Sequence, residues 1–522
     1  MVIENIHTVL PVFYPFFFTL LGLLFLIHLP KLIDKISEFI KDTDKTVLII
    51  LSALVLAGFV LRAFVFPANN FYFLDEHYAV DVGNNMAETG QLIRNEPLLN
   101  ETIYLPNNPE EGYNSEAGYF YIVGMLFKVF GSNSMYPIVM NIILGSLTVL
   151  ILGIFGLKFF GKKVGLISTG IIAILHFHLI HSFIGEKTVA SVFFISLFLL
   201  SSFYVIKKDA GELTFFAFIN YLWAGFIRPE FFLFFLPITV LVFYTDSKQI
   251  INPFKPRKVK KTFFYIFVLV SAFLAYFKLL DKIFFYGTGG SNNFHYFSLN
   301  NFFSAIGSGN VRYIIFIGLL VFLAFSDKKI GYKNYFEPDF WLLLSTAVIF
   351  LTFSLLFTYT TSQYLVLPYI LLTFYFVKLF FDLRDKKAKM VVGLLLFFII
   401  SLSILETTTL DHREGYREGK NILAEEYDGE YMITREFELF VTNGVKGVSK
   451  TVFDQQSELL AQKISEEDIF FKVDSTEDKP YGIPSEVELE KVDSINLHNP
   501  NGEESDEGLV YNIYEVTGFE LD

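Results

Sequence analysis

Cysteine is absent from this 522-residue chain, which excludes disulfides, thiolate metal centres and thiol nucleophiles. Charge is scarce: Asp, Glu, Lys and Arg make up 18% of residues against 53% hydrophobic ones. A soluble chain of this length carries more charge and divides into several domains. The Walker loop, the GxSxG elbow and the HExxH helix are all missing. Tryptophan occurs twice, at Trp223 and Trp341. No internal repeat or low-complexity stretch stands out. The basic residues lie in short loops and form no patch, so nothing points to nucleic acid.

What the chain does have is apolar runs of membrane-crossing length, a mean hydropathy of +0.47 and many aromatics, with 64 Phe and 28 Tyr. Such aromatics suit lipid-facing helices and interface belts. The runs predict spans at 9–29, 46–66, 135–158, 163–183, 187–207, 213–227, 230–246, 262–284, 311–326, 339–359, 362–382 and 389–406. The expected fold is an all-α polytopic membrane bundle of about twelve transmembrane helices. The first span does not read as a signal peptide: its leading residues carry Glu4 and no Lys or Arg, while Lys31, Lys35, Lys41 and Lys45 follow it.

Lys and Arg bias orients the bundle. Alternate loops are basic: Lys158, Lys162 and Lys163; Lys207 and Lys208; the run from Lys248 to Lys261; Lys328, Lys329 and Lys333; and Arg384 to Lys389. The intervening segment 67–116 has nine acidic residues against Arg94, and 286–310 has no Asp, Glu, Lys or Arg. The N-terminus, the loop 67–134 and the loop 286–310 are therefore expected outside the cytoplasmic membrane.

The net charge of −13 divides unevenly. From Asp411 onward there are 28 acidic and 10 basic residues, leaving 26 acidic and 31 basic before it. Three units are expected: an extra N-terminal transmembrane helix and cytoplasmic linker over 1–45, a transmembrane domain over 46–406, and a small soluble domain over 407–522. In the last, strand-like runs (431–434, 468–473, 509–516) alternate with helix-like ones (435–441, 454–464), an α/β pattern on the extracytoplasmic face. Within the outer loop, 78–89 reads as a short amphipathic helix ending at Gly90, and 117–130 as a second interfacial or dipping helix.

Four places could carry chemistry. Asp75-Glu76 follow the outer end of the second span. Adjacent carboxylates raise each other's pKa, which suits a general base; Asp75 also suits an N-cap. Glu186, followed by Lys187, falls in the turn between the fourth and fifth spans on the same face. It could equally be a first-turn Glu favoured by the helix dipole. Arg228, in Gly225-Phe226-Ile227-Arg228-Pro229, interrupts apolar sequence, where a guanidinium is costly and can clamp a phosphate; snorkelling to headgroups is the plainer alternative. Arg62 offers a weaker version of the same case. His176, His178 and His181 have no zinc-motif spacing and read better as aromatic packing.

The run from Leu61-Arg62 through Asp75-Glu76-His77-Tyr78 to Gly90 resembles the first outer loop of GT-C glycosyltransferases. The branch is that of protein O-mannosyltransferases and the lipid A aminoarabinose transferase. Gly118-Tyr119-Phe120-Tyr121 through Gly131, Gly225 to Pro229, and Gln363-Tyr364-Leu365-Val366-Leu367-Pro368 resemble later elements of the family in order. The family's Pro-Pro is Glu116-Ala117 here, its late Arg is Gln363, and the Trp-Trp-Asp signature of oligosaccharyltransferases is missing.

The resemblance implies a multi-spanning enzyme that moves a sugar, mannose by default, from a dolichyl- or polyprenyl-phosphate carrier to a protein, glycan or lipid acceptor. Asp75 would be the base with Glu76 beside it and Glu186 the second acidic position. Arg228, Arg62, Lys187, Tyr78 and Tyr364 would be the groups that meet carrier phosphate or sugar. The sequence requires no cofactor and leaves room for a divalent metal. Competing readings are an O-antigen-type ligase or polymerase, which would have a basic outer loop, and a transporter or lipid flippase, with ionisable groups at midplane and internal repeats.

Overall fold

The computed structural model describes residues 2–65, 74–90, 92, 113–133, 135–208, 210–228, 231 and 362–382. It also describes nine helical positions between 386 and 401 and five strands beyond. The spans expected at 230–246, 262–284, 311–326 and 339–359, and the loop 286–310, lie outside these residues.

The chain opens with α1 (Val2–Asp42) and α2 (Lys45–Val60), the latter running on into one π-helical turn, Leu61–Val65. Asp44 caps α2 by accepting from the Thr46 N–H at 2.9 Å. Then come α3 (Leu74–Thr89), α4 (Tyr113–Phe130), α5 (Met135–Phe160), α6 (Lys162–Ile174), α7 (His176–Ile180), α8 (Lys187–Lys208), α9 (Thr214–Ile227) and α10 (Ser362–Asp382). Four stretches of these helices, 14–42, 45–64, 135–160 and 187–205, are long and apolar enough to cross a membrane, so the chain is a multi-pass membrane protein.

Its outer surface is lipid-like, with Phe16, Leu23, Leu26, Ile49, Leu56 and Phe64 all exposed, whereas α8 is buried along almost its whole length. Lipid tails are as apolar as side chains, so the bundle gains little from burial and relies on close packing over small residues. Gly156 and Gly165 let α5 and α6 touch: a Cβ on Gly165 would stand 2.5 Å from the Leu157 nitrogen. Gly83 and Gly124 do the same for α3 and α4, where an added Cβ would meet Val123 or Met86 at 2.7 Å.

One sequence expectation changes. The fourth span, 163–183, is not one helix. α6 stops at Ile174, Leu175 is extended (φ −63, ψ 116), and α7 and a turn follow. The physical cause is polar: the carbonyl freed at Ala173 is taken by the Arg62 side chain at 3.2 Å, so the break leaves no buried orphan there. The segment 117–130 is helical, as expected, and forms most of α4. Ala117, Tyr119, Phe120 and Val123 are fully or nearly buried, because α4 packs on α3, α9 and α1. α1 runs unbroken to Asp42 and reaches the common core through Phe18, which stacks on Trp223. The short helix at 78–89 is present within α3, stopped by Gly90 at φ +76.

Among the described residues, the basic ones around 31–45, 158–163 and 207–208 gather at one end of the bundle. There Lys162 pairs with Asp44 at 3.6 Å, Lys35 with Glu212 at 3.4 Å, and Lys158 lies over the Phe39 ring. Separately, five strands form one sheet in the order β2-β1-β3-β5-β4: β1 Tyr431–Thr434, β2 Lys446–Ser449, β3 Ile469–Val473, β4 Val487–Asn496 and β5 Val510–Phe519. β1 is parallel to β2 and β3, and β5 is antiparallel to β3 and β4. The helix-like runs 435–441 and 454–464 lie outside the described residues.

Candidate active site

The opposite end of the bundle gathers the buried charges. Glu186 sits in the turn between α7 and α8, 2% exposed, and Arg228 at the end of α9 is also 2% exposed. Pro disfavours helix for the residue before it, and Arg228, which precedes Pro229, is extended (φ −139, ψ 106) and ends α9. Its Nη2 donates to Thr188 Oγ1 at 2.8 Å and lies 3.8 Å from Glu186 Oε2. The other carboxylate oxygen, Oε1, is 2.5 Å from His181 Nδ1.

Burial alone would raise the Glu186 carboxyl. His181 above all, with Arg228 and Thr188, outweighs it and holds the group down at about 2. Glu186 is therefore a fixed negative charge facing a fixed positive one.

The turn that carries it is held by its backbone. Asn141 of α5, fully buried, donates through Nδ2 to the carbonyls of Ile184 at 2.7 Å and Glu186 at 2.6 Å. Tyr119 of α4 donates to the Gly185 carbonyl at 2.6 Å. Gly118 beside it gives room for α4 to cross α9, since a Cβ there would stand 3.2 Å from the Phe226 backbone.

Arg62 does not join this pair. Its guanidinium, 0% exposed, is engaged by Gly58, Ala173, Ser182 and His178. Asp75, Glu76 and Tyr78 stand in the first turns of α3 and Tyr364 in the first turn of α10. Their side chains lie outside what the structure describes. Lys187 opens α8 and is buried.

Sequence reasoning brought Glu186 and Arg228 to one face, and the structure brings them together. It passed over Asn141, Thr188 and Tyr119, and it read His178 and His181 as packing, whereas each engages a charged partner. The available signal was Asn141, a lone amide inside an otherwise apolar span. Among the described residues no cluster of His, Asp and Glu could hold a metal ion.

A multi-helix membrane fold with buried ionic groups at one end defines a class, and comparison gives it a shape: the chain has the GT-C fold. It is similar over 90% of its length to ArnT from Cupriavidus metallidurans, covering 97% of that chain. The TM-score is 0.54 to the apo structure, at 9% identity, and 0.52 to the structure bound to undecaprenyl phosphate, at 11% identity. A looser likeness, TM-score 0.45 at 12% identity, is to the Archaeoglobus fulgidus oligosaccharyltransferase with a tethered acceptor peptide, over 83% of this chain and 69% of that one. No protein-family model and no curated protein sequence matches the chain.

Proposed function

We propose that this protein is a membrane glycosyltransferase that moves one sugar from a dolichyl- or polyprenyl-phosphate carrier to an acceptor hydroxyl on the extracytoplasmic face of the cytoplasmic membrane. The observation that carries the reading is the buried Glu186–Arg228 pair, 3.8 Å apart. It lies at the end of the bundle opposite the basic loops, in a fold similar to a protein solved with undecaprenyl phosphate.

Asp75, with Glu76 beside it, takes the proton of the acceptor hydroxyl. The oxygen attacks the anomeric carbon, the carbon–oxygen bond to the phosphate breaks, and the carrier leaves as a lipid phosphate. Arg228 meets the charge that grows on that phosphate, in a site where water does not screen it. Glu186, held at about 2, is too weak a base near neutral pH; its task is to hold Arg228 charged and in place. Lys187, Tyr78 and Tyr364 complete the contacts to phosphate and sugar. Mannose is the sugar to test first, with Ser/Thr of a protein, a glycan or a lipid as acceptor.

Purified protein in detergent, given a polyprenyl-phosphate sugar and an acceptor, should release free lipid phosphate, and Asp75→Asn should abolish that release. Turnover that survives Asp75→Asn removes Asp75 as base. Absence of release from the wild type with every donor tried removes the transferase reading.

A further inference from the structure

An arginine inside an apolar bundle is expensive and calls for a reason. Arg62 is wholly buried, and the chain is shaped around it. Its Nη1 donates to the Gly58 carbonyl at 2.7 Å and the Ala173 carbonyl at 3.2 Å, and its Nε to Ser182 Oγ at 3.1 Å. Its Nη2 lies 2.7 Å from His178 Nδ1.

Two glycines on different helices make the room. A Cβ on Gly58 of α2 would stand 3.1 Å from Nη1, and one on Gly145 of α5 would stand 3.1 Å from Nε and run into the Ser182 hydroxyl. Ser182 in turn donates to the His178 carbonyl. The guanidinium thus grips the end of α6, the short helix α7 and the start of the turn that ends in Glu186, and it does so from the π-helical turn that follows α2, beyond which the chain runs on to α3 and Asp75. If stitching helices were its whole use, apolar side chains would serve at less cost.

We infer that Arg62 is a positioning residue for the candidate active site: its guanidinium, cradled by Gly58 and Gly145, holds the 181–186 turn in the place from which Glu186 faces Arg228. The consequence for turnover rests on the transferase reading above. The consequence for the turn does not.

The cysteine-free chain gives a direct test. Ile184→Cys in the turn and Ala217→Cys in α9, both at 0% exposure, are introduced singly into the full chain in detergent and treated with a maleimide. Both should be protected with Arg62 present. Adding Arg62→Lys, which keeps the charge but reaches fewer acceptors, should raise labelling at position 184 at least ~10-fold and leave position 217 protected. Unchanged labelling at 184 overturns the inference. Should Arg62→Lys expose both positions, Ser182→Ala, which leaves the guanidinium in place and deletes the Nε acceptor together with the hydroxyl's bond to the His178 carbonyl, is read by the same two outcomes.

In turnover, Arg62→Lys should lower kcat about 10- to 100-fold, the scale of a misplacement near 1 Å, while KM for the polyprenyl-phosphate sugar stays within about twofold. A raised KM with unchanged kcat would make Arg62 a phosphate contact instead and overturn the assignment. A wild type that transfers no sugar removes the proposed function and leaves the labelling result to decide where Arg62 acts.

Discussion

Glu186→Gln keeps the shape of the side chain and removes its charge, leaving the buried Arg228 guanidinium without the counter-ion it faces. The geometry gives the size of the loss. At 3.8 Å and an effective dielectric of ~20, opposite unit charges attract by about 4 kcal/mol. The carboxyl, which burial alone would raise, is held down by His181 first and by Arg228 after it, so the ionised form is the favoured one in the folded protein. The Coulomb figure falls in the range of about 3–5 kcal/mol seen when one partner of a buried pair is removed.

Because the folded-state pKa is depressed, this stabilisation is fully present above about pH 4.5 and is lost as pH falls from there through about 2. The assay is unfolding in detergent followed by tryptophan fluorescence. Trp223 is a useful reporter, since it is buried and stacked between Phe18 and Phe194. The wild type should exceed Glu186→Gln by about 3 kcal/mol at pH 7, and the gap should close as the pH is lowered below 4.5. A variant that unfolds with the wild type at pH 7, or a gap that does not change with pH, would refute the ionised pair.

Two further outcomes follow from the geometry. Arg228→Lys keeps a cation but loses the guanidinium fork whose Nη2 holds Thr188; under the proposed function kcat for release of lipid phosphate should fall about 10- to 100-fold, the worth of one charge-assisted hydrogen bond, measured by steady-state kinetics. Gly165→Ala puts a Cβ 2.5 Å from the Leu157 nitrogen, whereas Gly170→Ala meets nothing nearer than Leu54 at 3.6 Å. The first should lower the melting temperature clearly, at a cost of about 1–3 kcal/mol or more, and the second hardly at all.

Much of the architecture was legible because hydrophobic run length is set by bilayer thickness. The runs at 46–66, 135–158, 187–207, 213–227 and 362–382 each coincide with a described helix. The run at 163–183 misled, since a hydropathy pattern cannot register that a guanidinium from another helix will satisfy a carbonyl in its middle. The short, aromatic 117–130 was legible as a helix. Its burial is decided by what packs on it.

In the site, the sequence by itself determined that Glu186 and Arg228 would share one face, because each ends a run and the runs alternate in direction. It could not tell what each touches. That His181 and Thr188 complete the pair, that Asn141 and Tyr119 pin the turn, and that Arg62 is cradled by two glycines from α2 and α5 are facts about residues far apart in the chain. Charge and hydropathy are properties of single residues and survive being read one by one. Hydrogen-bond partnership and close approach are properties of pairs, and only the packed helices choose the pairs.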